Sequence, residues 1–191
     1  MHWHFTQTLN EKEREEWNLL ARNELGIGVH PDRITGFLLG REALRLCFNK
    51  FGRTIGISDL KIKNFNYLTN HSDVTFSISH THLIGAAIVG EKLKYSGLGI
   101  DVELENRGVK DAIIERISHC NDQSLDKINL WCVKEAAFKA LMNTGKFHKN
   151  IEFGDIEIGP KIFTHSPTQI TGEWDFENPK PFVMARAWIY N

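Results

Sequence analysis

Between Asp73 and Leu104 three extended segments, DVTFSIS, HLIGAAIVG and LGIDVEL, follow one another with no room for a helix in between. Parallel neighbours need a crossover of a dozen or more residues, so joins this short point to antiparallel strands. The join EKLKYSG is polar and ends in glycine, which suits a hairpin. The first segment alternates Val74, Phe76 and Ile78 with polar neighbours, the pattern of a half-buried strand.

Helical patterns lie on both sides of this block. TLNEKEREEWNLLARNELG places Thr8 at capping-box spacing before Glu11 and closes at Gly26. A second helix is expected from about Asp32 to Phe51, with Ile34, Phe37, Leu44, Phe48 and Phe51 on one face and Gly52 at its end. The run DLKIKNFNYL after it reads as extended. Downstream come a polar helix around Val109 to Ser118, a strong helix from about Leu125 to Met142, and extended runs in IEFGDIEIG, TQITGEWDF and PFVMARAWIY. Each half thus reads as helices with an antiparallel set of strands, which is the α+β class.

With 191 residues, 41% of them apolar, the chain can bury a core without disulfides or structural metal. Lys and Arg total 23 against 24 Asp and Glu, so no overall field advertises nucleic acid or an acidic membrane, and any anion site has to be local. The cysteines Cys47, Cys120 and Cys132 are odd in number and far apart, without zinc spacing. No stretch approaches the roughly 20 apolar residues of a spanning helix. A cytoplasmic protein with reduced thiols is expected.

Four local patterns can carry chemistry. In LGIDVELENR, residues two apart share a strand face, so Asp101 and Glu103 project together while Ile100, Val102 and Leu104 face the core. Paired carboxylates on one face suit a divalent cation such as Mg²⁺, and equally the wet side of a half-exposed strand. In LDKINLWCVKEAAFKALM, Trp131, Glu135 and Lys139 form one helical stripe and Leu130, Val133, Ala137 and Leu141 another that packs inward. Glu135 and Lys139 are either an ordinary i,i+4 pair or, beside the large Trp131, a carboxylate and a phosphate-binding ammonium facing a cleft. FSISHTH ends a strand in Ser79, His80 and Thr81; Ser79 and His80 point to opposite sides, no Gly-x-Ser-x-Gly elbow exists, and His80 with His82 lacks further zinc ligands. Finally, Arg41 sits at the edge of the apolar face of the second helix, with Arg45 one turn on, and meets an anion if it is partly buried.

Taken together, FSISHT (Phe76 to Thr81), GIDVE (Gly99 to Glu103) and WCVKEAAFK (Trp131 to Lys139), in that order, resemble the motifs of the monomeric, Sfp-type 4'-phosphopantetheinyl transferases. FLLGREALRLCF also resembles the family helix that carries a coenzyme-binding arginine. The resemblance implies a pseudo-dimer of two similar helix-plus-antiparallel-sheet lobes, residues 1–93 and 94–191, with the active site in the cleft between them. It implies that Asp101, Glu103 and Glu135 hold Mg²⁺ against the pyrophosphate of coenzyme A. Arg41, Ser79, His80, Lys134 and Lys139 would bind the coenzyme, and Glu135, Lys139 and Asp101 would be the catalytic group. The acceptor would be a serine of an apo acyl or peptidyl carrier protein, and the second product adenosine 3',5'-bisphosphate. The chain departs from the family where Gly-Lys-Pro is usual, having only Lys61 and Lys63 nearby, and in ISHCND, where Asp122 stands for a glutamate. Two rivals remain: a coenzyme- or carrier-binding module without activity, and a DEDD-type magnesium nuclease, which would need a later Tyr or His motif and a basic groove.

Overall fold

The computed structural model describes residues 1–62, 68, 71–147 and 151–191. Strand β1 (His2–Thr6) leads through a 3-10 turn (Glu11–Glu13) into helices α1 (Arg14–Leu25) and α2 (Pro31–Lys50). Strands β2 (Val74–His80), β3 (Gly85–Glu91) and β4 (Tyr95–Leu104) follow, then helices α3 (Asp111–Ile117) and α4 (Lys127–Asn143). The chain closes with β5 (Ile156–Ile158), β6 (Ile162–His165), β7 (Ile170–Glu177) and β8 (Phe182–Tyr190). The class is α+β, with two antiparallel sheets in the orders β1-β3-β2 and β4-β8-β7-β6-β5. Among the described residues no helix is long and apolar enough to cross a membrane.

Several local expectations are corrected. The first helical region is capped by Asn10, whose side chain accepts from the Lys12 amide, and not by Thr8. Thr8 instead closes a turn with the Thr6 hydroxyl. The turn after β3 is not a hairpin: β3 has β1 on one edge and β2 on the other, so β4 has to find another neighbour and pairs with β8. The described part of DLKIKNFNYL is no strand, because Ile57–Asp59 is a 3-10 turn that buries Ile57 and Leu60; Lys63 lies outside the described residues.

Three apolar clusters hold the layers together. Trp17, Phe37, Leu44 and Phe48 of α1 and α2 cover Phe76 and Val89 of the first sheet. Val133, Ala137 and Leu141 of α4 cover Phe163, Ala185 and Ala187 of the second. The third cluster joins the sheets: Ile84, just before β3, and Ala86 and Ile88 of β3 meet Leu98, Ile100 and Val102 of β4 and Met184 of β8. Each buried Ile or Leu side chain contributes about 1.5–3 kcal/mol relative to exposure, so this junction is a core in its own right. At its far margin the Arg186 guanidinium of β8 lies 4.4 Å from the ring centroid of Trp3 on β1.

Small residues let the helices lie flush on the strands. A Cβ at Gly99 would overlap the Ala136 carbonyl oxygen, one at Gly97 that of Ala140, and one at Gly85 the backbone of α2 at Leu39. α4 is thereby seated directly on β4, and α2 on β3.

The polar face of β2 does not meet water. Thr75, Ser77 and Ser79 are buried, because β2 lies alongside β4 where the two sheets adjoin. The matched positions Ser77 with Ile100 and Ser79 with Asp101 advance together, so the two strands run in the same direction. They belong to different sheets, and side chains bridge them in place of a ladder.

Candidate functional site

A cavity of about 700 Å³ opens at this seam. Arg41 of α2 and Ile78 and His80 of β2 line one side; Glu135, Phe138, Lys139, Met142 and Asn143 of α4 line the other. The expected α4 stripe is observed: Leu130, Val133, Ala137 and Leu141 are buried, while Trp131, Glu135 and Lys139 are only partly so. A second concavity of about 440 Å³ lies among Pro160, Lys161, Trp174 and Trp188, but its acids are engaged, Asp175 by Arg186 and Glu173 by the Trp188 indole.

Asp101 lies behind the cavity wall, bonded to Lys139. It is buried, and its Oδ1 accepts from Ser79 Oγ and from Lys139 Nζ, each at 2.7 Å. Lys139 Nζ also donates to the Ile100 carbonyl at 3.1 Å. The second oxygen, Oδ2, is buried with no hydrogen-bond partner among the described residues. An unmatched carboxylate oxygen in a dry place costs free energy unless a cation or donor meets it. Burial raises the pKa of Glu135, with the Asp101 charge adding to the rise and Lys139 and Arg107 opposing it. Burial works to lower the Lys139 pKa, yet Asp101 and Glu135 outweigh it and the ammonium is held above its ordinary value.

The opposite wall is cationic. Burial brings Arg41 down to about 10, which leaves it charged near neutrality. Its guanidinium lies 4.3 Å from the Phe37 ring centroid, its Nε is buried without a hydrogen-bond partner, and it has no salt bridge among the described residues. His80 is exposed overall, but its ring rests against α2, where a Cβ on Gly36 or Gly40 would crowd it. Burial on that side, with Arg41 and Lys139 nearby, pushes it down to about 4, so the imidazole is neutral at physiological pH.

Two expected residues sit differently. Glu103 shares the strand face of Asp101, but its Oε1 accepts from the Trp131 indole at 3.1 Å and pairs with Arg107. Lys134 is not at the cavity. It is fully buried, and its ammonium is held by Asp122 Oδ2 at 2.8 Å and by the carbonyls of Ile156 and Phe153. A residue next to Glu135 in sequence is turned about 100° around the helix, and here that direction is the core. Asp122 is committed to the same structural work, accepting also from the amides of His119 and Ile158. Among the described residues, no three His, Cys, Asp or Glu side chains are grouped closely enough to hold a metal ion.

Sequence reasoning missed Asn143, Ser77 and the apolar lining of Phe138 and Met142. Asn143 was detectable, since it extends the stripe Trp131, Glu135, Lys139 by one more turn. Compared with known proteins, the chain matches no family model and no curated sequence.

Proposed function

We propose that this protein transfers the 4'-phosphopantetheine group of coenzyme A to a serine of an apo acyl or peptidyl carrier protein in a Mg²⁺-dependent reaction, acting as a two-lobed monomer with its site between the lobes. The observation that carries this reading is the cavity itself, where Arg41 and His80 face Glu135 and Lys139 with Asp101 bonded behind. Cations for anionic oxygens and carboxylates for a metal meet there, and the serine hydroxyls beside them bridge β2 to β4. Ser79 is hydrogen-bonded to Asp101, and Ser77 accepts from the Ile100 amide.

The unpartnered Oδ2 of Asp101 and the neighbouring Glu135 fit a hard divalent cation. Asp101 and Glu135 would hold Mg²⁺, with Glu103 joining on release from Arg107, and what such an ion would supply there is neutralisation of charge on the pyrophosphate. Arg41 and His80 would hold phosphate oxygens of the coenzyme, the guanidinium by charge and the neutral imidazole by an N–H donor. The carrier serine hydroxyl attacks the phosphorus that bears pantetheine, and its proton passes to Glu135 or to a water Glu135 holds. A new P–O bond forms to serine, the bridging P–O bond breaks, and Lys139 stabilises the charge on the departing adenosine 3',5'-bisphosphate. Such transfer needs mainly positioning and charge neutralisation, which are what this set of side chains can supply.

The ion pairs Asp101–Lys139 and Glu103–Arg107 support a second reading, a module that binds coenzyme or carrier without turnover. Binding assays separate the two. In the transferase, Asp101→Ala and Glu135→Ala lower Mg²⁺ affinity by calorimetry and abolish transfer while circular dichroism stays native. Coenzyme binding that ignores Mg²⁺ in the wild type contradicts the metal assignment.

A further inference from the structure

We propose that Asn143 is a positioning residue whose side-chain amide sets the register between β2 and β4, and through it the span between the Arg41–His80 wall and the Glu135–Lys139 wall with Asp101 behind it. The amide nitrogen donates to two backbone carbonyls, Phe76 of β2 at 2.8 Å and Leu98 of β4 at 2.6 Å. These strands belong to separate sheets and have no ladder between them, so their facing carbonyls depend on side-chain donors. Both partners are acceptors, and only the nitrogen side of the amide can face them, which fixes its orientation.

The clamp works in series with two others. One step along, Ser77 Oγ accepts from the Ile100 amide at 3.3 Å; further on, Ser79 Oγ donates to Asp101. One nitrogen that reaches both carbonyls allows little sliding of one strand past the other. A shift by even one residue would carry Ser79 away from Asp101 and His80 away from Lys139. Asn143 also lies on the same α4 stripe as Glu135 and Lys139, so a single helix carries both the reacting groups and the register pin.

The register is a property of the fold and is tested without ligand; its effect on coenzyme A binding rests on the proposed function. Three measurements decide it. In the wild type, through-hydrogen-bond NMR couplings from the Asn143 side-chain nitrogen to the carbonyl carbons of Phe76 and Leu98 are expected, and their absence overturns the proposal. In Asn143→Asp, which keeps the shape but loses the donor, and in Asn143→Ala, the Ile100 amide is expected to exchange about tenfold faster while the Val89 amide in β3 is unchanged. Equal acceleration of both amides shows a loss of general stability only, and overturns the proposal. Coenzyme A should bind these folded variants about tenfold more weakly than the wild type. If the wild type binds no coenzyme A, the transferase reading fails and the couplings and Ile100 exchange still decide the register.

Discussion

Asp101 and His80 show how single side chains take their properties from their neighbours. Asp101 is buried with one oxygen bonded to Ser79 and Lys139 and the other unmatched among the described residues, an arrangement suited to charge stabilisation. Replacing Asp101 with Asn keeps the shape and the Ser79 contact but takes the countercharge from Lys139. Because Lys139 is about a quarter exposed, solvent screens part of the loss, and a fall of about 1–2 kcal/mol in unfolding free energy is expected by urea denaturation. His80 has a folded pKa of about 4, below its ordinary 6.5, so the unfolded chain binds its proton more readily. Its contribution to stability is therefore full above pH 6.5 and is lost as pH falls from there through 4. NMR titration of the ring should show that midpoint in the free protein, and a polyphosphate ligand in the cavity should raise it; a free-protein midpoint near 6.5 contradicts the packing against α2.

Elements place these residues, and here the limits of sequence reading become physical. Asp101 and Glu103 were legible because strand alternation is local, and Glu135 and Lys139 because helical spacing is local. Lys134, expected at the coenzyme, is instead buried against Asp122, because what surrounds a helix on each side is decided by tertiary packing. In that place it serves packing, and Lys134→Met should cost about 3 kcal/mol by taking the countercharge from Asp122, which keeps only its amide donors, with little change in coenzyme affinity. A large loss of affinity at unchanged stability would contradict that role. Gly99 carries the complementary constraint. Gly99→Ala would drive a methyl group into the Ala136 carbonyl and lift α4 from β4, at a cost of roughly 3 kcal/mol, and would separate Glu135 from Asp101.

At the scale of the whole molecule, the class could be read from the order of patterns, but which strand joins which sheet could not. β3 is apolar on both faces because α2 covers one and the second sheet the other, and pattern alone does not reveal the covers. β1 escaped notice because HWHFT is a short edge strand whose aromatics serve the junction between sheets. The seam between β2 and β4 is likewise invisible locally, since Ser77 and Ser79 look like the wet side of a strand until a second strand is placed beside them. That seam is where the cavity opens, so the proposed chemistry depends on the joining of the halves. The most direct test incubates the intact protein with Mg²⁺, coenzyme A and a panel of apo acyl and peptidyl carrier proteins and weighs the carriers by intact-protein mass spectrometry. The account predicts that at least one carrier gains a single phosphopantetheine on its serine, and that Glu135→Ala abolishes the gain. No addition to any carrier, with coenzyme A still bound, would contradict transfer and leave a binding module.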